Sequence, residues 1–238
     1  MTTHNLVLVH SPLVGRYTWE PVAAWFRAAK GGRAVVPDIR VGERSGPPYW
    51  QRHVDAVVSS VRDSLGDEDQ VTLVAHSGAG VLLPAIGAAL PNPVAAYAFV
   101  DAIVPRNRMS RFDLVPEVAD EFRRLAMGGA LPPWSADDLA AVIPDPDARR
   151  RLTAGLPSLP LAVYEEPIPV PADWPDAPVA YLHLTEFYDT FAAEARERNW
   201  AYRRVDGRHF HMLIDPAAVG EALLRAVRDA ERVQALDA

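Results

Sequence analysis

The chain has 238 residues, of which 49% are apolar, and 24 basic against 31 acidic residues leave a net charge of −7. That apolar share excludes intrinsic disorder, and the acidic balance argues against a nucleic-acid-binding face and, more weakly, against an anionic membrane surface. With no cysteine, disulfide scaffolds, thiolate nucleophiles and Cys-type zinc sites are excluded.

The first apolar run, residues 6–9, is too short for a signal peptide or a membrane span, and no basic segment precedes it. A soluble, cytoplasmic protein is expected. Further short runs, apolar almost throughout, recur at 34–36, 71–75, 95–100, 179–184 and, more weakly, 201–205. Runs without alternation suit strands buried on both faces, as in a parallel sheet. Helical stretches lie between them. The first, 19–29, has Thr18 available as its N-cap. Residues 50–65 place Val54, Val57, Val58 and Val61 on one helical face. A small apolar helix is expected over 78–90 and another over 190–198. A last helix, 216–232, starts with Asp215 as cap and Pro216 at its first position. Strands alternating with helices predict an open α/β sheet of about six mostly parallel strands.

One stretch breaks the alternation. Of 22 prolines, 13 fall from Pro105 to Pro178, amid candidate short helices at 115–126, 136–141 and 146–154. Pro167-Ile168-Pro169-Val170-Pro171 reads as an extended connector. The chain therefore divides into a core, 1–104 with 178–238, and a small helical cap, 105–177. The cap is expected over the carboxyl edge of the sheet, where open α/β folds bind ligands.

The sharpest local feature is Val74-Ala75-His76-Ser77-Gly78-Ala79-Gly80, a strand running into a serine and then a helix among small residues. This is the context of the nucleophile elbow G-x-S-x-G, with Ala75 and Ala79 in the glycine places. It would expose the Ser77 hydroxyl and aim the Gly78 N–H at a developing oxyanion. Past the last strand comes Asp206-Gly207-Arg208-His209-Phe210-His211-Met212-Leu213. His209, directly after the Gly207 turn, is the candidate general base; His211 leads into the final helix.

With serine and histidine in this order, the chain resembles the α/β-hydrolase fold over nearly its whole length. Leu8-Val9-His10-Ser11-Pro12-Leu13-Val14-Gly15 followed by Trp19 resembles that family's oxyanion-loop opening. The start at that strand and the His-x-x-Met-Leu ending at Leu213 resemble the branch of small plant methyl esterases and hydroxynitrile lyases. The resemblance implies a Ser77–acid–His209 triad with two departures. Proline at position 12 lacks the N–H of a usual oxyanion donor, leaving Leu13 N–H or the Ser11 hydroxyl to replace it. The family's acid usually follows the strand at 179–184, where Thr185-Glu186-Phe187 stands instead. Asp101, ending the run 95–100 as in certain haloalkane dehalogenases, is the first candidate. Asp189 is the second, with a helix N-cap as its plainer role, and Glu186 the third.

His10 and His76 are expected to shape loops. His4, His53 and His183 have no metal-ligand spacing, Glu165-Glu166 reads as a solvated turn, and Trp134 as packing inside the cap. Neither G-x-G-x-x-G nor a phosphate-binding loop is present, so no cofactor or metal is expected. These residues imply a serine hydrolase acting on an ester, thioester or lactone of a small organic molecule. The alternatives are a lyase, cyclase or isomerase on the same residues, or a ligand-binding receptor of this fold. The partner is a small molecule, with no nucleic acid or membrane; the oligomeric state stays open.

Overall fold

Each apolar run becomes a strand, and the strands lie side by side. The computed structural model describes residues 5–42, 46–126 and 128–237, so His4 falls outside them. In chain order the strands are β1 (Asn5–Val9), β2 (Ala34–Val35), β3 (Val71–Ser77), β4 (Val94–Ala102), β5 (Ala130–Leu131), β6 (Leu159–Pro160), β7 (Val179–His183) and β8 (Ala201–Arg204). Six form one wholly parallel sheet in the order β2-β1-β3-β4-β7-β8, and β5 pairs antiparallel with β6. From β1 the chain steps outward to β2 and then crosses back to β3. In open parallel sheets, ligands bind beyond the carboxyl ends of the strands at such a switch point, here β1 and β3.

Alternate residues of each strand face opposite layers. Leu6 and Leu8 pack with α1 (Glu20–Lys30) and α10 (Pro216–Asp237) through Val22, Phe26, Val219 and Leu223. Val7 and Val9 face the other layer: α2 (Tyr49–Arg62), α3 (Leu83–Ala89) and α8 (Asp189–Glu197). Asp215 caps α10 by accepting the Ala218 N–H at 2.9 Å. Thr18 does not cap α1, because its hydroxyl donates to the Gly15 carbonyl at 2.8 Å. The stretch after Ser77 starts as a tight 3-10 turn (Gly80–Leu82), and only then becomes α3.

Between β4 and β7 lie α4 (Arg111–Leu114), α5 (Pro116–Leu125), α6 (Pro146–Thr153) and α7 (Ala162–Glu165). The expected helix at 136–141 is a run of turns. Pro132-Pro133 and Pro144 bound it, leaving too few residues to offset helix nucleation. Phe112, Tyr164 and Val163 join Val41, Tyr49 and Leu13 in a third apolar cluster, while Leu139, Ile143, Ala148 and Leu152 pack onto the α1/α10 layer. Glu166 is not a solvated turn: its carboxylate accepts the Tyr49 N–H at 2.8 Å and the Trp50 N–H, capping α2. No helix of the described residues is long and apolar enough to cross a membrane.

His53 faces the core from α2, fully buried, and neither ring nitrogen has a partner among the described residues. Burial, helped by Arg111 and His10, holds its pKa well below the usual 6.5. The unfolded chain therefore takes up a proton near pH 6.5 that the folded chain refuses. Stability should fall as pH drops below about 6.5, by up to about 1.4 kcal/mol per pH unit for this residue. Melting curves of the wild type and His53→Leu between pH 5 and 7.5 check this: the variant should lose less stability on acidification, and parallel losses would contradict it.

Candidate active site

The elbow is built by close approach. Ser77, last in β3, has φ 58°, a left-handed conformation that a serine adopts only when its surroundings impose it. Ala75 and Ala79 on either side are fully buried, so larger residues would not fit there. A Cβ on Gly80 would stand 2.1 Å from the Ile103 carbonyl oxygen, which is why the turn ends in glycine. The Ile103 N–H in turn donates to the Ser77 carbonyl at 3.1 Å.

Asp101, near the end of β4, is fully buried and also left-handed, with φ 45°. Its Oδ1 accepts the Leu184 and Thr185 N–H groups at 3.0 Å each, and Oδ2 accepts the Thr185 hydroxyl at 2.7 Å. The fourth partner is His209, whose Nδ1 lies 2.7 Å from Oδ2. A carboxylate can only accept, so Nδ1 carries the ring proton and Nε2 is left basic. The imidazole packs against two other rings, His76 at 4.3 Å, tilted by 35°, and Tyr188 at 5.2 Å, stacked within 8°. His76 also donates from Nε2 to the His209 carbonyl at 2.9 Å. Burial keeps His76 neutral, its pKa pushed well below the usual histidine value.

Asp189 does not join this group. It opens α8, more than half exposed, 3.1 Å from His183 Nε2 and 3.8 Å from Arg204. Glu186 lies exposed in the 3-10 turn Glu186–Tyr188. His211 stands beside Gly207, and its buried Nδ1 has no partner among the described residues. His10 donates from Nδ1 to the Ser11 carbonyl at 2.8 Å and accepts the Ile39 N–H on Nε2 at 3.2 Å, shaping the loop after β1.

Three residues at the site have no signal in the elbow or the histidine loop. The Ser77 hydroxyl is hydrogen-bonded at 2.9 Å to the hydroxyl of Tyr188, a buried residue whose pKa burial pushes above the usual phenol value. Arg111 Nε donates to the Gly78 carbonyl at 2.7 Å. The Tyr164 hydroxyl stands 3.2 Å, and the Ser11 hydroxyl 3.6 Å, from the point where a Gly78 side chain would begin. Within the loop after β1, the Leu13 N–H turns back to Ser11 Oγ at 3.5 Å. The Gly78 N–H makes no hydrogen bond among the described residues. No group of three or more His, Asp or Glu side chains among them is arranged to hold a metal ion.

A sequence model of the Alpha/beta hydrolase family matches residues 6–222. Compared with curated proteins, the sequence finds no match. Among solved structures, an extracellular α/β-hydrolase from a Paenibacillus species superposes with a TM-score of 0.75 at 15% identity, covering 94% of this chain and 98% of that one. Tomato methylketone synthase I, complexed with 2-tridecanone, gives 0.72 at 15% identity, with 97% and 100% covered. A methylesterase from Arabidopsis gives 0.68 at 16% identity, with 94% and 99% covered. Identities this low speak for the shared fold.

The contact at Gly80 gives a direct test of the elbow. Gly80→Ala should destabilise the protein by about 2–3 kcal/mol or more, because the backbone of residue 103 must move to admit the methyl group. A thermal unfolding midpoint unchanged from wild type would contradict the close approach.

Proposed function

The chain belongs to the alpha/beta hydrolase family, and from that premise we propose that it is a serine hydrolase cleaving an ester, thioester or lactone of a small organic molecule. The observation that carries the reading is the 2.7 Å bond between His209 Nδ1 and the buried Asp101, together with a left-handed serine at the end of a strand whose hydroxyl bonds that of Tyr188, the ring stacked on His209. Ser77 turns about χ1 from Tyr188 to His209. Its oxygen attacks the carbonyl carbon while His209 Nε2 takes its proton. Asp101 fixes the ring and stabilises the imidazolium. The oxyanion forms against the Gly78 N–H and the Ser11–Leu13 loop. The leaving group departs with the proton from His209. Water, deprotonated by the same nitrogen, then attacks the acyl-enzyme, and Ser77 leaves reprotonated.

A second reading, a lyase, cyclase or isomerase on the same residues, draws on two observations. Pro12 lacks an oxyanion donor, and the Tyr188 hydroxyl adds a second proton carrier at Ser77.

Hydrolysis of a panel of neutral p-nitrophenyl esters, thioesters and lactones tests the proposal. Ser77→Ala should abolish turnover. Asp101→Asn should lower kcat by ~10³–10⁴-fold with the fold kept, while Asp189→Asn changes it by less than about threefold. Full turnover by Ser77→Ala contradicts the mechanism, and a larger loss at Asp189 than at Asp101 contradicts the assignment of the acid.

A further inference from the structure

Arg111 is an unusual residue to find behind a nucleophile elbow. Its side chain is fully buried. Nε donates to the Gly78 carbonyl and Nη1 to the Val163 carbonyl, each at 2.7 Å. Nη2, equally buried, has no partner among the described residues. Glu166 is the acid that acts on it, but both carboxylate oxygens of Glu166 are engaged by the Tyr49 and Trp50 N–H groups. A guanidinium without a bonded carboxylate is costly inside a protein, and burial draws its pKa down.

Guanidinium geometry says where the free donor points. Nε and Nη2 form one edge of the planar fork, the edge that grips both oxygens of a carboxylate in bidentate pairs. One tooth of that edge holds the Gly78 carbonyl, so the other is directed at the same elbow. Around the point where a Gly78 side chain would start stand Tyr164 Oη at 3.2 Å, Arg111 Nε at 3.6 Å and Ser11 Oγ at 3.6 Å. A positive charge and two hydroxyls thus surround Gly78, the residue whose carbonyl Arg111 holds and whose N–H is the oxyanion donor of the serine-hydrolase reading. Tyr164 feels the charge: burial raises its pKa, and Arg111, then Ser11, pull it back.

We propose that the cap completes the oxyanion site, with the buried Arg111 charge and the Tyr164 and Ser11 hydroxyls supplying the stabilisation that Pro12 withholds. The inference rests on the serine-hydrolase reading. Arg111 is a positioning residue, acting through Gly78 and through its field. It makes no covalent step of its own. Negative charge arises on the carbonyl oxygen only when Ser77 attacks, so the effect belongs to the transition state and to kcat. A lost oxyanion donor costs ~10²–10³-fold, the range a poorly screened charge nearby can restore.

The test measures kcat and KM of the full chain on p-nitrophenyl butyrate, which is neutral, and on p-nitrophenyl hemisuccinate, which carries a carboxylate. It also measures Ki for a trifluoromethyl ketone that forms an anionic tetrahedral adduct with Ser77. Arg111→Met should lower kcat by ~10²-fold on both esters with KM within about threefold, and weaken Ki by a similar factor. Arg111→Lys, which keeps the charge, should recover at least ~10-fold of that loss. Tyr164→Phe, which keeps the packing ring, should lower kcat by ~10-fold and serves if Arg111→Met fails to fold. Unchanged kcat and Ki in Arg111→Met and Tyr164→Phe overturn the inference. So does a loss confined to KM for the hemisuccinate, which would make Arg111 a substrate-carboxylate anchor, or equal losses in Arg111→Lys and Arg111→Met. These outcomes leave the serine-hydrolase reading standing, provided the wild type turns over either ester through Ser77. A wild type inactive on both, with no ketone adduct, overturns the two together.

Discussion

The Asp101 carboxylate is the constraint around which the carboxyl edge of the sheet is arranged. A buried carboxylate is costly unless its lone pairs are used, and here four donors use them: two backbone N–H groups, the Thr185 hydroxyl and His209. Those donors come from the ends of two different connections, the one leaving β7 and the one leaving β8. Satisfying one carboxylate therefore fixes the relative position of β4, the turn after β7 and the histidine loop. The left-handed backbone at Asp101 is part of the same arrangement, since it turns the side chain toward those donors at the edge of a parallel strand.

Placing the carboxylate on β4 changes what the turn after β7 contributes. Freed from carrying the acid, that turn brings the Tyr188 ring flat against His209 and its hydroxyl to Ser77. The imidazole is thus fixed by a hydrogen bond at one nitrogen, by the stacked Tyr188 ring, and by His76, whose tilted ring packs against it and whose Nε2 donates to its carbonyl. The Ser77 hydroxyl itself rests on Tyr188. Arg111 and Tyr164, from α4 and α7, meet Gly78 and Ser11 of the loop after β1. A hydrogen bond from Arg111 Nε to the Gly78 carbonyl ties α4 to the elbow's own backbone.

The sheet was legible because each strand is an apolar run bounded by polar turns, a pattern that survives without tertiary information. As candidates, Ser77 was legible because it ends a strand among small residues, and His209 because it directly follows the Gly207 turn past the last strand. Asp101 could be singled out because an acid ending a buried strand demands a partner. Other features depended on distances no local pattern reports. Arg111 opens the four-residue helix α4, too short to show a period, and an arginine there reads as solvated. Tyr164 lies on an equally short helix. Tyr188 was hidden because Glu186 and Asp189, its acidic neighbours, drew attention to the same turn. Glu166 looked solvated because the donors its carboxylate accepts, the Tyr49 and Trp50 N–H groups at the start of α2, lie 117 and 116 residues earlier in the chain. Hydrogen bonds between Ser135 and Asp138 start a turn where a helix was expected, at 136–141, and Pro144 then stops it.

The central claim is that Ser77 is an activated nucleophile, held ready by His209 and Asp101. The most direct measurement is reaction of the folded wild-type chain with a fluorophosphonate probe, followed by peptide mapping by mass spectrometry. One phosphonyl group per chain, on Ser77, with labelling lost in His209→Ala, is the expected result. No adduct, or label spread over other hydroxyls while Ser77 stays free, would contradict it.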